Sequence, residues 1–155
     1  MKRSVLTSVL LLAFGSSHAV AQLPCPAGLT GAQLVTTLSG MYACAKRAPG
    51  NPANDIWNEL HQGTTAAGGN VMDYKRGPGH PVDPSKVVGT YFISLGANTV
   101  TYTYGDPGGP YTYSLRTVPN PDPNSPGFQY CNVATGERIP AIISATPIHL
   151  FCTAP

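Results

Sequence analysis

The side chains that could carry chemistry are concentrated in one stretch of the sequence, from the chain's single tryptophan to a proline-rich turn. They are aromatic, imidazole and carboxylate groups: Trp57, Glu59, His61, Asp73, Tyr74, His80 and Asp83. Prolines and glycines interrupt residues 64–85, but apolar anchors lie between the charges, as in the ordered loops that hold binding residues. We predict a binding site here, with these contacts: Trp57, His61, Asp73, Tyr74 and His80.

A metal or acid–base site is the main alternative for the same stretch. Imidazole and carboxylate groups can bind a divalent ion, and the candidate ligands are Glu59, His61, His80 and Asp83. Glu59 and His61 are two residues apart, which on a helix places them on different sides, and the sequence has no H-E-x-x-H or G-x-S-x-G motif. We therefore predict no catalytic residue, metal or cofactor, and favour a protein that is not an enzyme. A small metal-dependent or acid–base hydrolase using residues 57–83 is the alternative.

Two short helices are predicted to position this stretch. Residues 30–39 carry apolar side chains at helical spacing, with Thr30 as N-cap and Gly40 as the C-terminal stop. Asn51 and Pro52 are typical of the start of a second helix, which would include the tryptophan and stop at Gly63.

The Val87–Arg116 stretch predicts three antiparallel strands joined by two glycine-containing turns. The first turn, Gly96-Ala97, gives these cross-strand pairs: Gly89–Tyr104, Tyr91–Tyr102 and Ile93–Val100. The second, longer turn gives these pairs: Val100–Leu115, Tyr102–Tyr113 and Tyr104–Tyr111. Two further strands are predicted from Phe128 to Val133 and from Arg138 to Ser144, the latter at an edge or bulged because of Pro140, and Ile148–Cys152 could add a sixth.

One face of the predicted sheet is tyrosine-rich, and the opposite face carries threonine and serine. The tyrosines form either the core beneath the helices or an exposed surface on which a sugar or aromatic ligand could stack. We predict Tyr104 and Tyr111 as ligand contacts. Residues 83–93, DPSKVVGTYFI, resemble the turn and first strand of the lipocalin-like barrels, with Tyr91 where that family usually has tryptophan. The resemblance implies a meander entered through a tight turn, and no ligand site is carried over from it.

Four cysteines predict two disulfides: Cys25, Cys44, Cys131 and Cys152. Three connectivities are possible. We favour Cys25–Cys44 and Cys131–Cys152, because each pair brackets a short segment.

The first 21 residues have the pattern of a secretory signal peptide, with Lys2 and Arg3 before an apolar run and a small-residue cleavage site at Ala19-Val20-Ala21. Without Lys2 and Arg3, seven of the nine basic residues remain against seven acidic ones, so the expected mature chain is neutral. This balance disfavours nucleic acid as a partner. The apolar run is too short to span a membrane. We expect a secreted or periplasmic protein of bacterial type, monomeric, with a small molecule, glycan or protein as partner.

Together these patterns predict an α+β, mainly β fold for residues 22–155. The expected architecture is an antiparallel meander or small open barrel of five or six strands, with two short N-terminal helices and two disulfides, in a single domain. The predicted function is a non-enzymatic binding or interaction module, and a structural envelope protein is a further alternative.

Overall fold

The computed structural model describes residues 24–47, 56–65, 67–73, 86–105, 109–119 and 127–146. The predicted signal peptide lies outside the described residues. So do four residues to which the sequence assigned a role: Tyr74, His80, Asp83 and Cys152.

Eight antiparallel strands follow one another in sequence order and close into a barrel. They are β1 (Tyr42–Lys46), β2 (Ile56–Thr65), β3 (Gly68–Asp73), β4 (Lys86–Ser94), β5 (Thr99–Tyr104), β6 (Tyr111–Thr117), β7 (Phe128–Asn132) and β8 (Arg138–Ser144). Each strand pairs with its neighbours, and β1 pairs with β8 to complete the closure. The mainly β antiparallel prediction is confirmed, but the expected five or six strands and open edge are wrong, because the region before residue 86 contributes three strands.

The first predicted helix is confirmed as α1 (Gly31–Leu38). The Thr30 side chain accepts a hydrogen bond from the Gln33 backbone and the Gln33 side chain accepts one from the Thr30 backbone, which is a complete capping box. Leu34 and Leu38 are fully buried in the core. Gly40 follows with a φ of 73°, the left-handed conformation that ends helices readily at glycine.

The second predicted helix is wrong, because the residues from Ile56 onward form strand β2. Trp57 and His61 are four residues apart, and this spacing places two side chains on one face of a strand as well as of a helix. The strand lies between β1 and β3. Gly69 of β3 permits this packing, since a Cβ there would lie 1.8 Å from the Gln62 carbonyl oxygen.

The register of the tyrosine-rich strands is confirmed for the first hairpin and wrong for the second. Gly89, Tyr91 and Ile93 of β4 pair with β5 as predicted. In the second hairpin, Tyr102 pairs with Tyr111, two residues away from its predicted partner. A shift of two residues leaves every side chain on its predicted face, so the alternation does not distinguish the two registers.

Two finer expectations about individual strands are also corrected. The segment that resembles the first strand of a lipocalin enters the fourth strand here, β4. The strand with Pro140 is no edge strand, since β8 pairs with both β7 and β1. Pairing between β8 and β1 begins at Ala141, so the missing N–H of Pro140 lies just beyond that ladder.

The two ends of the barrel differ in what lies across them. At one end, which we call the helix end, α1 packs against the β4–β5 turn, and the Gly31 N–H donates to the Asn98 side-chain oxygen at 2.7 Å. At the opposite end, which we call the loop end, strands β1, β3, β5 and β7 end and strands β2, β4, β6 and β8 begin. None of the helices within the described ranges has the length and apolar character needed to cross a bilayer.

A disulfide joins Cys25, which precedes α1, to Cys131 on β7. The favoured pairings Cys25–Cys44 and Cys131–Cys152 are therefore both wrong. Where two disulfides were expected, the described part of the chain contains this one. Cys44 is also disulfide-bonded, and its partner lies outside the described residues. The two bonded cysteines are 106 positions apart in the sequence, so the bond links the segment before α1 to the distant strand β7.

Candidate functional site

The lumen of the barrel is lined by tyrosines and by polar residues of β2. Because paired residues share a face, the inward positions can be followed around the ladder, and Glu59 and His61 of β2 both point inward. The side chains nearest the helix end are almost completely buried: His61, Tyr91, Tyr102 and Tyr130. The tyrosine face is thus largely core in this half of the barrel.

A chain of hydrogen bonds runs through this buried half. The His61 Nε2 atom lies 2.7 Å from the Tyr102 hydroxyl, and that hydroxyl lies 3.2 Å from the Tyr130 hydroxyl. His61 Nδ1 lies 3.3 Å from the Met41 carbonyl, which can only accept, so the proton belongs on Nδ1 and Tyr102 donates to Nε2. We call His61, Tyr102 and Tyr130 the inner chain.

Burial keeps the inner chain uncharged. It lowers the pKa of His61 to about 4, with the Met41 hydrogen bond as a smaller opposing effect. Burial also raises the pKa of Tyr102 and of Tyr130 above the usual tyrosine value. A neutral histidine with both ring nitrogens engaged is a packed structural group rather than an exposed acid or base.

A second polar contact crosses the lumen closer to the loop end. The Tyr104 hydroxyl of β5 donates to Glu59 Oε2 of β2 at 3.0 Å, although two strands separate β2 from β5 around the wall. Glu59 is only 6% exposed. Its direct neighbour on the ladder is Asp73 of β3, a second carboxylate on the same face.

Burial dominates the protonation of Glu59. It raises the pKa of this carboxyl to about 8, the hydrogen bond from Tyr104 acts in the opposite direction, and the charge of Asp73 adds to the rise. At neutral pH Glu59 is therefore mostly a carboxylic acid, able both to donate and to accept a hydrogen bond.

Aromatic side chains of increasing exposure lie around this carboxyl. Tyr113 and Tyr104 are half-buried, Trp57 packs partly against the core, and Tyr111 is 41% exposed. The Tyr104 and Tyr111 rings have centroids 6.2 Å apart. We call Trp57, Glu59, Tyr104, Tyr111 and Tyr113 the loop-end cluster.

An ion pair lies beside the cluster. Arg47 donates to Glu137 at 3.0 Å, and its guanidinium lies 5.0 Å from the centre of the Trp57 ring. Each charge of this pair is balanced within the pair.

The predicted contacts divide into three groups. Trp57, Tyr104 and Tyr111 lie in the loop-end cluster, and Asp73 adjoins it through Glu59. His61 lies deeper, in the inner chain. Tyr74, His80 and Asp83 lie outside the described residues, so their roles stay predictions.

Two features of the site were missed in the sequence. The sequence predicts Glu59 as a metal or acid–base residue and not as a binding contact, because on a helix it would point away from His61; on a strand, residues two apart share a face. Tyr113 was placed on the tyrosine face but not proposed as a contact. The signal was the period-two pattern Trp57–Glu59–His61, which matches the inward face of β2.

The described residues contain no group of three or more histidine, cysteine, aspartate or glutamate side chains that could hold a metal ion. Glu59, Asp73 and His61 are neighbours, but the imidazole is engaged with Met41 and Tyr102.

Comparison with known proteins gives no relative: no family model, curated protein or solved structure matches the chain. The fold and the geometry of the lumen are therefore the basis of the functional argument.

Proposed function

We propose that this chain is an exported, non-enzymatic protein that binds a small molecule at the loop end of its barrel. The observation that carries the proposal is the buried Glu59–Tyr104 hydrogen bond across the lumen, beneath the exposed ring of Tyr111. Eight-stranded barrels have an interior that side chains can fill or that one small ligand can occupy. Here, packed side chains fill the helix-end half of the lumen, and the accessible aromatic surface that lines the lumen lies at the loop end.

The chemistry of the loop-end cluster suits a ligand of mixed character. Tyrosine and tryptophan offer a broad apolar face together with a hydrogen-bonding group, and ligand sites combine such faces with a few convergent polar groups. Glu59 supplies the convergent polar group, and its burial makes that contact strong because water competes poorly for it. The disulfide is compatible with an extracellular location.

Binding can be tested through Trp57, the chain's only tryptophan, by fluorescence. The disulfide-bonded protein is titrated with three probes of similar shape: 2-phenylethylammonium, 2-phenylethanol and 3-phenylpropanoate. At least one should give a saturable change in emission. Tyr111→Ala should weaken that binding roughly fivefold, because a stacked aromatic contact is worth on the order of 1 kcal/mol.

The matched control is Phe92→Ala, which removes another exposed ring, 58% exposed, from the outer face of β4. It should leave the titration unchanged. The proposal fails if none of the three probes gives a saturable signal, or if both variants weaken binding equally.

A further inference from the structure

We propose that the ligand of the loop-end cluster is a small organic ammonium ion, with the Glu59 carboxylate as its counter-ion and the Tyr104 and Tyr111 rings against its apolar part. This inference rests on the proposed function and specifies the ligand class of the same site. The inference follows from the charges of the side chains that surround Glu59 in the described part of the lumen.

Among the described residues, no cation is paired with Glu59. The groups that influence its protonation are Asp73 from β3 and Tyr104 from β5. Tyr102 of β5 and Tyr130 of β7 also interact electrostatically with Glu59, and His61, next inward on β2, is neutral. From β1, the residue paired with Glu59 is Ala43, which has no charge.

Two cations in the described strands near the cluster have other carboxylates as neighbours. Arg47 is paired with Glu137. Lys86 is exposed and is the ladder partner of Asp73. Buried carboxylates are ordinarily matched by a cation, and in the described part of this lumen that match is supplied by a proton on Glu59 itself. A bound ammonium group would take the place of that proton.

The rings around Glu59 favour the same class of ligand. Tyrosine faces attract cations through the negative charge of the π system, by about 0.5–2 kcal/mol depending on desolvation. The Tyr104 and Tyr111 rings have centroids 6.2 Å apart and an angle of 49° between their planes. Tyr104 is also hydrogen-bonded to the Glu59 carboxyl. An ammonium group placed between the Glu59 carboxylate and these rings would interact favourably with both.

When one ammonium ion binds, one proton leaves Glu59. The Glu59 O–H bond breaks, the proton leaves to buffer, and the carboxylate oxygens accept hydrogen bonds from Tyr104 and from the ammonium group. An alkylammonium keeps its own proton to about pH 10, so the charge of the ligand does not change over the range in which Glu59 titrates.

The experiment is calorimetric titration of the disulfide-bonded protein with 2-phenylethylammonium and with 2-phenylethanol near pH 7, in buffers of different ionisation enthalpy. The ammonium should bind at least about tenfold more tightly than the alcohol, a difference of 1.4 kcal/mol. It should release about one proton per ligand, and its affinity should rise roughly fiftyfold from pH 6 to pH 8 because the carboxyl must ionise.

Glu59→Gln is the decisive variant, since glutamine has the shape of the neutral acid and can accept the Tyr104 hydrogen bond. It should abolish both the preference for the ammonium and the proton release. Glu137→Gln, a change at the chain's only other glutamate, should retain both.

Equal binding of ammonium and alcohol, absence of proton release, or an unchanged Glu59→Gln variant would overturn the ammonium inference. If only 2-phenylethanol or 3-phenylpropanoate changes Trp57 emission, the inference fails while the proposed function stands. If no probe does so, both fail.

Discussion

The two halves of the lumen are built from the same kinds of residue and differ in what those residues do. Tyr102 and Tyr104 are two residues apart on one face of β5, with rings stacked at 6.2 Å. Tyr102 is 4% exposed and donates to a neutral histidine, whereas Tyr104 is half-buried and donates to a carboxyl. The two tyrosines have the same residue type, so their difference in burial and in hydrogen-bond partner comes from their positions along β5.

The largest loss of stability should come from removing a packed side chain at the helix end. Leu38→Ala removes a fully buried side chain of α1 and should lower the free energy of unfolding by about 2–5 kcal/mol, measured by urea denaturation. Tyr111→Ala, at the loop end, should cost less than about 1 kcal/mol because the ring is already exposed. Equal losses in the two variants would contradict the division into a structural half and a binding half.

A smaller effect separates the two tyrosines of β5. Tyr102→Phe removes the donor to His61 Nε2 and leaves two buried polar groups in need of partners, so the free energy of unfolding should fall by about 1–3 kcal/mol. The change removes a single oxygen and keeps the ring, so it creates no large cavity. An unaltered urea midpoint would show that the inner chain contributes nothing to stability.

A third effect concerns the pH dependence of stability. Folded Glu59 holds a proton up to about pH 8, whereas the unfolded chain releases it near pH 4.5, so stability is lost as pH rises through this range. His61 has the opposite sign: the unfolded chain is protonated below pH 6.5 and the folded one only below about pH 4, so stability is lost as pH falls. The two contributions cancel between pH 4.5 and 6.5.

Denaturation of the wild type should therefore show a slope of up to about −1.4 kcal/mol per pH unit between pH 6.5 and 8 from Glu59 alone. Glu59→Gln should lose this slope. Between pH 4.5 and 6.5, the variant should instead gain stability as pH rises, because His61 then acts unopposed. Parallel curves for the two proteins would show that Glu59 is not buried as a neutral acid.

The sequence predicted the parts of the fold that local chemistry determines. The cap at Thr30 and the stop at Gly40 define α1 through hydrogen bonds and backbone conformation within one turn. The turn of residues 95–98 gives the predicted β4–β5 register, with Ser94 paired with Thr99 and the positive φ at Asn98 rather than at Gly96. Both expectations needed only contacts between residues close in the sequence.

The errors arose where distant parts of the chain decide the outcome. Residues 56–63 fit a helix or a strand, and pairing with β1 and β3 selects the strand. The Cys25–Cys131 bond depends on the closed barrel, which brings β7 next to the segment before α1. The predicted helix over the same residues also explains why the sequence does not place Glu59 in the lumen: only on a strand does Glu59 share a face with Trp57 and His61.

The ladder between β5 and β6 is short, so these two strands should separate more easily than the other neighbouring strands. Only three residue pairs join these strands, from Val100–Tyr113 to Tyr102–Tyr111, fewer than at any other described seam. Toward the helix end, the Leu29 N–H donates to the Leu115 carbonyl and supports β6 there. Toward the loop end, Tyr104 extends beyond the ladder. The β5–β6 pairing is therefore weakest beside Tyr104 and Tyr111, and amide hydrogen exchange should be faster at these two residues than in the centre of β4.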